Sequence, residues 1–498
     1  MTATLSGVAQ EQIKAAAAMP RLAPAIHPRI HDFLNNQEAM IFDLTDRFGS
    51  PLNLIFPQNI RDNIAAFQAV YKKHTMRGRI YFTSKPCKSL ALFREALGED
   101  IGIDVSSAAS LRTVMESGWS ADRIGATGPK NKDYIRLALQ NDVLINVDNI
   151  DELKQIETLH SSLAVGRKAR TTIRIADYGT ARIRFLNEDD TTFGIRSADI
   201  DWVFSYLEDR KDIFDFIGFS WHSSTASDEQ RIAAMDNQLR LTFAAIKRGF
   251  KLSVINIGGG FPIMYANSCQ EWADYTLALK ESVMGKIPPQ IWNKGGLGFR
   301  MENGVLKGNG VFSNHAPFDD REEDLEKRLN YRMPSMGNAS FADIVRDSLL
   351  KLSIEPGSGM ADQCGITIGR VAFTKKSGLG ENLVGLEMNR SNLHSNQLKQ
   401  LTEPMVFSRR HNRLDTDGKG VFYTGNLCLS YDMLQYNKTY PAFMPEEGDL
   451  VAFMNTAAYM MDFTESETLM QPVARKIALT EENGAWQWTE DENHRRAL

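Results

Sequence analysis

Eight short apolar runs, spaced so that a helix fits between most neighbours, constrain this chain more than any other feature. They lie at 79–84, 100–105, 123–127, 143–147, 171–175, 214–221, 252–258 and 351–355, each of strand length. Helix signals fill the gaps. Ser227 with Gln230 reads as a capping box ahead of Ile232, Met235, Leu239, Phe243 and Ile246, and Gly249 supplies the stop. Asn149 with Glu152 repeats the signature, and 107–118 is a third instance. Strands alternating with helices call for parallel pairing through crossovers, and eight of them predict an α/β chain built on a (β/α)8 barrel.

Two stretches break the rhythm. Between Pro262 and Glu355 runs a long excursion, with a hairpin-like segment at 299–312 and a charged run at 319–328, which reads as a lid, an oligomer contact or a mobile insert. After 365 the runs at 366–373, 382–388, 420–424, 449–454 and 469–479 are separated by turns, as in an antiparallel β-domain. Upstream, Pro20, Pro24 and Pro28 prevent one long helix, 40–48 is weakly amphipathic, and Gly49-Ser50-Pro51 forms a turn. The expected division is a lead-in at 1–51 that partly packs with the β-domain, a barrel at 52–355 with an insert at about 263–350, and a C-terminal β-domain at 356–498.

With 498 residues, more than one core is expected. A net charge of -5 without a basic run disfavours a nucleic-acid surface. The four cysteines form no CxxC pair, and no apolar segment is long enough to span a membrane. The expectation is a cytoplasmic protein with neither nucleic-acid nor membrane partners.

In a barrel, chemistry collects at the carboxyl ends of the strands. There the first run delivers Lys85, ahead of Pro86; the second Asp104; the fifth Arg174; the sixth His222 and Thr225; the seventh Gly258, Gly259 and Gly260; the eighth Glu355, Gly357 and Ser358. Each has an ordinary reading: a strand-end lysine reaching for solvent, a tight glycine turn, a core histidine, a loop-capping carboxylate. Each also has a chemical one. A lysine at a buried strand end is an amine for a carbonyl. Bare glycine N–H groups suit a phosphate, an imidazole suits the face of a flat ring, and a carboxylate keeps a ring nitrogen protonated. Together these requirements describe pyridoxal 5′-phosphate.

The motifs resemble those of the fold type III pyridoxal-phosphate decarboxylases, the ornithine, arginine and diaminopimelate decarboxylase family. YFTSKPCKS resembles the lysine strand, IGIDVSSAASL the DxxSxxEL segment, FIGFSWHSST the F-H-x-G-S segment, INIGGGFP and EPGSG the phosphate and pyridine strands, and GNLCLSYD a C-terminal signature. The likeness runs from about Leu44 to Ile477. It implies an amino-acid decarboxylase in which Lys85 holds the cofactor, His222 stacks on its ring, Glu355 pairs with the ring nitrogen, and Arg174 and Asp104 steady the network. Thr225, Gly259, Gly260 and Tyr459 would bind phosphate. Cys428, in a homodimer with shared sites, would return the proton from the partner subunit.

Four departures qualify that picture. Ser358 replaces the arginine of EPGR, removing a phosphate contact of about 1.5–3 kcal/mol. Ser224 and Thr225 replace a glycine and a serine. Ser110 replaces a glutamate, with an expected loss of hydrogen bonding. Leu429 follows Cys428 where relatives acting on diamino acids place an acid, a loss of about 2 kcal/mol for a distal ammonium. Asp432 remains as a candidate amine contact. The expected substrate is therefore a modified, larger or less cationic amino acid rather than plain ornithine, lysine or diaminopimelate. A racemase or other carbanion enzyme on the same cofactor, and a non-catalytic relative, are the alternatives.

Overall fold

Phe82, Ile103, Ile145, Ile173, Phe219 and Ile255 are wholly inaccessible to solvent, so the runs that carry them must be covered on both faces and paired at both edges. The computed structural model, which describes residues 20–178, 192–223, 226–310, 320–394, 400–410, 416 and 418–496, meets that demand with a closed barrel. Its strands are β2 (Gly78–Thr83), β3 (Gly102–Val105), β4 (Ile124–Ala126), β5 (Leu144–Val147), β6 (Ala169–Arg174), β7 (Phe214–Ser220), β8 (Val254–Asn256) and β13 (Lys351–Ile354). All pair in parallel, and β13 closes the ring between β8 and β2. Each of the eight expected runs overlaps one of these strands, with β2 starting one residue and β6 two residues earlier than expected.

The crossover helices begin where the caps put them. Ser227 and Gln230 bond reciprocally at the start of Asp228–Lys247. Ser107 and Ser110 do the same at Ala108–Glu116, so Ser110 supplies a hydrogen bond where a loss was expected. Asn149 caps Ile150–Ser162, but the side chain of Glu152 does not return to it; it turns inward instead.

The first strand corrects the expected boundary at residue 52. β1 (Leu52–Ile55) is not a barrel element; it lies between β14 (Gly365–Lys376) and β19 (Arg475–Glu482) in the β-domain sheet. Its four residues are all buried, and Leu52 and Leu54 pack with Ile366, Ile368 and Ile477, so sequence-distant apolar partners decide its place. β20 (Ala485–Glu490), β18 (Leu450–Phe453) and β16 (Met405–Phe407) extend that sheet, with β15 (Asn382–Leu386) and β17 (Val421–Thr424) branching from β14. The pairing is mostly antiparallel; β1–β19 and β15–β17 run parallel. Helices Pro28–Asn36 and Glu38–Phe48 cover one face through Phe33, Ile41 and Phe42.

Within the insert, β9 (Arg300–Glu302) and β10 (Val305–Lys307) form the expected hairpin, and β11 (Arg332–Met333) pairs with β12 (Ala339–Ser340). The charged run becomes a helix, Arg321–Leu329, that buries Leu325, Arg328 and Leu329.

Candidate active site

β2, β3, β6, β7, β8 and β13 end on one rim, and the expected groups gather there. Lys85, two residues beyond β2, is exposed at the mouth rather than enclosed, its Nζ 5.8 Å from the centroid of the Tyr459 ring. Tyr459 belongs to the β-domain side and is held there by its own N–H, which donates to the Pro86 carbonyl at 3.0 Å. Gly357 fits between them: a Cβ there would lie 2.9 Å from Pro86 Cγ and 3.2 Å from Tyr459 Oη.

Behind the lysine stand two carboxyls. Burial and then the facing Glu355 push Asp104 well above the usual carboxylate range, against the charges of Lys85, Lys130 and Arg174. Its Oδ2 is enclosed without a hydrogen-bond partner among the described residues. Glu355 is also raised, by burial, although Asn256 Nδ2 donates to its Oε1 at 2.7 Å and Arg174 and Lys85 oppose the shift. Arg174 is buried at the end of β6, 4.0 Å from Asp148, with its guanidinium over the Phe193 ring at 4.6 Å.

The Gly259 N–H donates to His222 Nδ1 at 2.9 Å, which leaves that nitrogen without a proton of its own. Burial, then Arg174, Lys85, Arg231 and Arg328, lowers the imidazole well below its ordinary range, so a neutral flat ring faces the mouth. The glycines are there because nothing larger fits. A Cβ on Gly258 would lie 2.4 Å from the Trp221 carbonyl, and one on Gly259 2.4 Å from the Glu355 carbonyl. Gly258 and Gly260 also have φ of +68° and +72°. Thr225, with Ser224, lies outside the described residues. Ser358 opens a short helix, Ser358–Ala361, directly after Gly357.

The loop carrying Cys428 is braced by Asp432. Cys428 is exposed and Leu429 half-buried. Asp432 is fully buried, and its two carboxylate oxygens accept the backbone N–H groups of Arg390 and Leu427, each at 2.8 Å. Its carboxylate ties the loop's own backbone together.

Several contributors escaped the sequence reading. Asn256 donates to Glu355 and accepts the Gly258 N–H at 2.9 Å, tying the acid to the glycine turn. Its signal was a lone polar residue ending the apolar run SVIN. Lys130 is buried with Nζ 3.1 Å from Glu152 Oε2, and Glu152 also receives the N–H groups of Lys130 and Asp148. Arg231 and Arg328 reach the back of the glycine turn.

Residues 58–296 match the family described as "Pyridoxal-dependent decarboxylase, pyridoxal binding domain", a span that holds Lys85, Asp104, Arg174, His222 and the glycines. The match covers a little under half of the chain, and what it supports is a pyridoxal-phosphate-dependent decarboxylase of fold type III. It is 27% identical to "Uncharacterized protein y4yA" of Sinorhizobium fredii (strain NBRC 101917 / NGR234) over 93% of this chain and 94% of that one. It is 22% identical to the L-glutamyl-[BtrI acyl-carrier protein] decarboxylase of Niallia circulans, over 91% and 94%. In fold it is similar to diaminopimelate decarboxylase from Helicobacter pylori complexed with L-lysine, with a TM-score of 0.63, 18% identity, and coverage of 90% and 95%.

The decarboxylase cofactor, pyridoxal phosphate, suits what the barrel mouth presents. Glu355, which Asn256 orients, could accept a protonated ring nitrogen's N–H, and the ring's positive charge would oppose the rise that burial gives that carboxyl. His222 offers a neutral ring face, the glycine turn admits no side chain, and Lys85 Nζ is accessible to an aldehyde.

Proposed function

We propose that this pyridoxal-phosphate-dependent enzyme decarboxylates an amino acid whose distal end carries no free ammonium. The observation that carries this reading is the loop at 425–432. Leu429 is apolar, and the carboxylate of Asp432 is engaged by two backbone donors, so neither offers a counter-charge to a distal cation. An ammonium brought against such a loop would lose water without gaining a partner. The Niallia relative acts, by its name, on a glutamyl group on a carrier protein, a distal end without an ammonium.

When bound, the cofactor supplies an electron-withdrawing ring that accepts the electron pair left at the α-carbon as CO2 departs. The chain's own groups then have defined tasks. Lys85 Nζ holds the aldehyde and is the nearest amine for moving a proton at the mouth. Glu355 holds the ring nitrogen's proton, Arg174 and Asp104 steady the charges around it, and Asn256 keeps Glu355 oriented. His222 keeps the ring flat from one side. The thiol of Cys428, exposed on its own protomer, returns a proton to the α-carbon from the partner subunit of a homodimer.

Three measurements test these assignments. CO2 release across a panel of amino acids is expected to be fastest on side chains with neutral, acidic or acylated ends. Leu429→Asp is expected to raise kcat/KM for lysine or ornithine by about 30-fold, the equivalent of about 2 kcal/mol. Best turnover of the wild type on ornithine, lysine or diaminopimelate would reverse the substrate assignment. For the shared site, Lys85→Ala and Cys428→Ala are each expected to be nearly inactive, and their co-expression to restore about a quarter of wild-type activity through mixed dimers. No recovery would place Cys428 outside the partner's site.

A further inference from the structure

The loop that carries Lys85 is held from two sides. Ahead of the lysine the partners belong to the barrel: the Ser84 N–H donates to the Asp104 carbonyl at 2.9 Å and the Thr83 hydroxyl to the Glu355 carbonyl at 3.2 Å. Past the lysine the anchors come from the other domain. The Tyr459 N–H donates to the Pro86 carbonyl at 3.0 Å. The Lys88 N–H donates to Asp462 Oδ2, also at 3.0 Å, while Lys88 Nζ reaches the Asp462 carbonyl. Asp462 is 1% exposed, and its Oδ2 lies 3.3 Å from Nζ of Lys476 on β19.

The next anchor is a helix cap supplied from far along the chain. The first N–H groups of a helix have no partner inside it, and the helix dipole favours an anion beside them. Helix Leu90–Leu97 has no acidic residue in its first turn. Asp491, directly after β20 and 4% exposed, fills that place from 401 positions away. Its Oδ2 accepts the Leu90 N–H at 2.7 Å, and its Oδ1 accepts the Ala91 N–H at 3.2 Å and the Ser89 hydroxyl. The grip continues along the helix, where His494 Nε2 lies 2.9 Å from Glu95 Oε2 and Arg496 Nη1 donates to the Glu95 carbonyl at 3.0 Å. Tyr459, Asp462 and Asp491 thus hold the backbone that leaves Lys85, and none of them belongs to the barrel.

We propose that Asp462 and Asp491 are positioning residues for the Lys85 amine, through which the β-domain sets where the barrel's lysine meets an aldehyde. The proposal rests on the assignment of Lys85 above. Attachment joins the Lys85 nitrogen to the aldehyde carbon and releases the aldehyde oxygen with the two amine protons as water, so it proceeds only while the loop presents the amine to the mouth. A loop freed of an anchor holds that arrangement for a smaller fraction of the time, and the apparent affinity for an aldehyde falls by the same fraction. A ligand that makes no bond to Lys85 is indifferent to the loss.

The test compares pyridoxal phosphate with pyridoxamine phosphate, which carries an amine in place of the aldehyde and cannot form the bond. Each is titrated into cofactor-free protein and followed by absorbance of the bound ring, and borohydride reduction followed by mass measurement reports attachment at Lys85. Asp491→Asn and Asp462→Asn are each expected to weaken pyridoxal phosphate by about 3- to 30-fold and to leave pyridoxamine phosphate unchanged, with Asp491→Glu recovering part of the loss by restoring a carboxylate. Equal weakening of both ligands marks a merely structural role and overturns the proposal, as does an unchanged affinity for pyridoxal phosphate. Should Asp491→Asn fail to fold, the ratio measured on Asp462→Asn decides it in the same way. A wild type that gains no mass on reduction overturns the assignment of Lys85 itself, a result distinct from an unchanged ratio.

Discussion

Replacing Lys85 by alanine is expected to lower CO2 release by about 10²–10⁴-fold while leaving the fold intact. The two halves of that expectation come from different observations. Lys85 is exposed at the mouth, and substitutions at such positions typically change stability by no more than about 0.5 kcal/mol. Yet its Nζ is the amine that stands with Tyr459, Asp104 and Glu355, close enough for its charge to act on both acids. Removing it takes away the group that fixes the aldehyde and the nearest one able to carry a proton. The absorbance of the bound cofactor should change with the loss of its covalent attachment, and unfolding curves should coincide with those of the wild type. Undiminished CO2 release from Lys85→Ala would remove the lysine from the chemistry.

The second large effect is on stability. Lys130 Nζ meets Glu152 Oε2 at 3.1 Å and the carbonyls of Gly128 and Asn146 at 2.7 and 2.5 Å, with both side chains enclosed. Burial lowers the Lys130 ammonium from its usual range, and Glu152, Asp148 and Asp104 oppose that shift. Lys130→Met strands the Glu152 charge and two carbonyls, and breaking a buried pair from one side costs about 3–5 kcal/mol. The expected result is a clear fall in denaturant midpoint, partly recovered when Glu152→Gln is added, because the stranded charge then disappears. A midpoint unchanged by Lys130→Met would mean that water reaches the pair.

Periodicity carried most of the barrel because its strands are short, apolar and bounded by caps. Fully buried parallel strands need no alternation, so runs such as VLINV read directly. What failed to read was what depends on distant partners. Leu52–Ile55 has the same apolar texture as a barrel strand, and only the faces of Ile368 and Ile477 assign it to the other sheet. Glu152 occupies a capping position by spacing, yet a buried lysine 22 positions away attracts its carboxylate more strongly. In the site, Lys85, Asp104, His222, the glycines and Glu355 were legible because strand ends converge by topology. Arg328 was not, since a helix of mixed charges looks solvated until one of its arginines finds a pair of carbonyls. The bracing task of Asp432 was not legible either, since a carboxylate near a thiol reads as chemistry while short loops also need acceptors for their own amides.

The placement of β1 has a consequence for how the chain is made. Asn53 and Thr367 touch across a separation of 314 positions, and the parallel neighbour, β19, is synthesised later still. During translation, this four-residue strand therefore waits beside a growing barrel without its sheet, a template open to stray pairing until β14 and then β19 have left the ribosome. Slow emergence of the stretch from β14 to β19 would lengthen that exposure and favour aggregation over maturation.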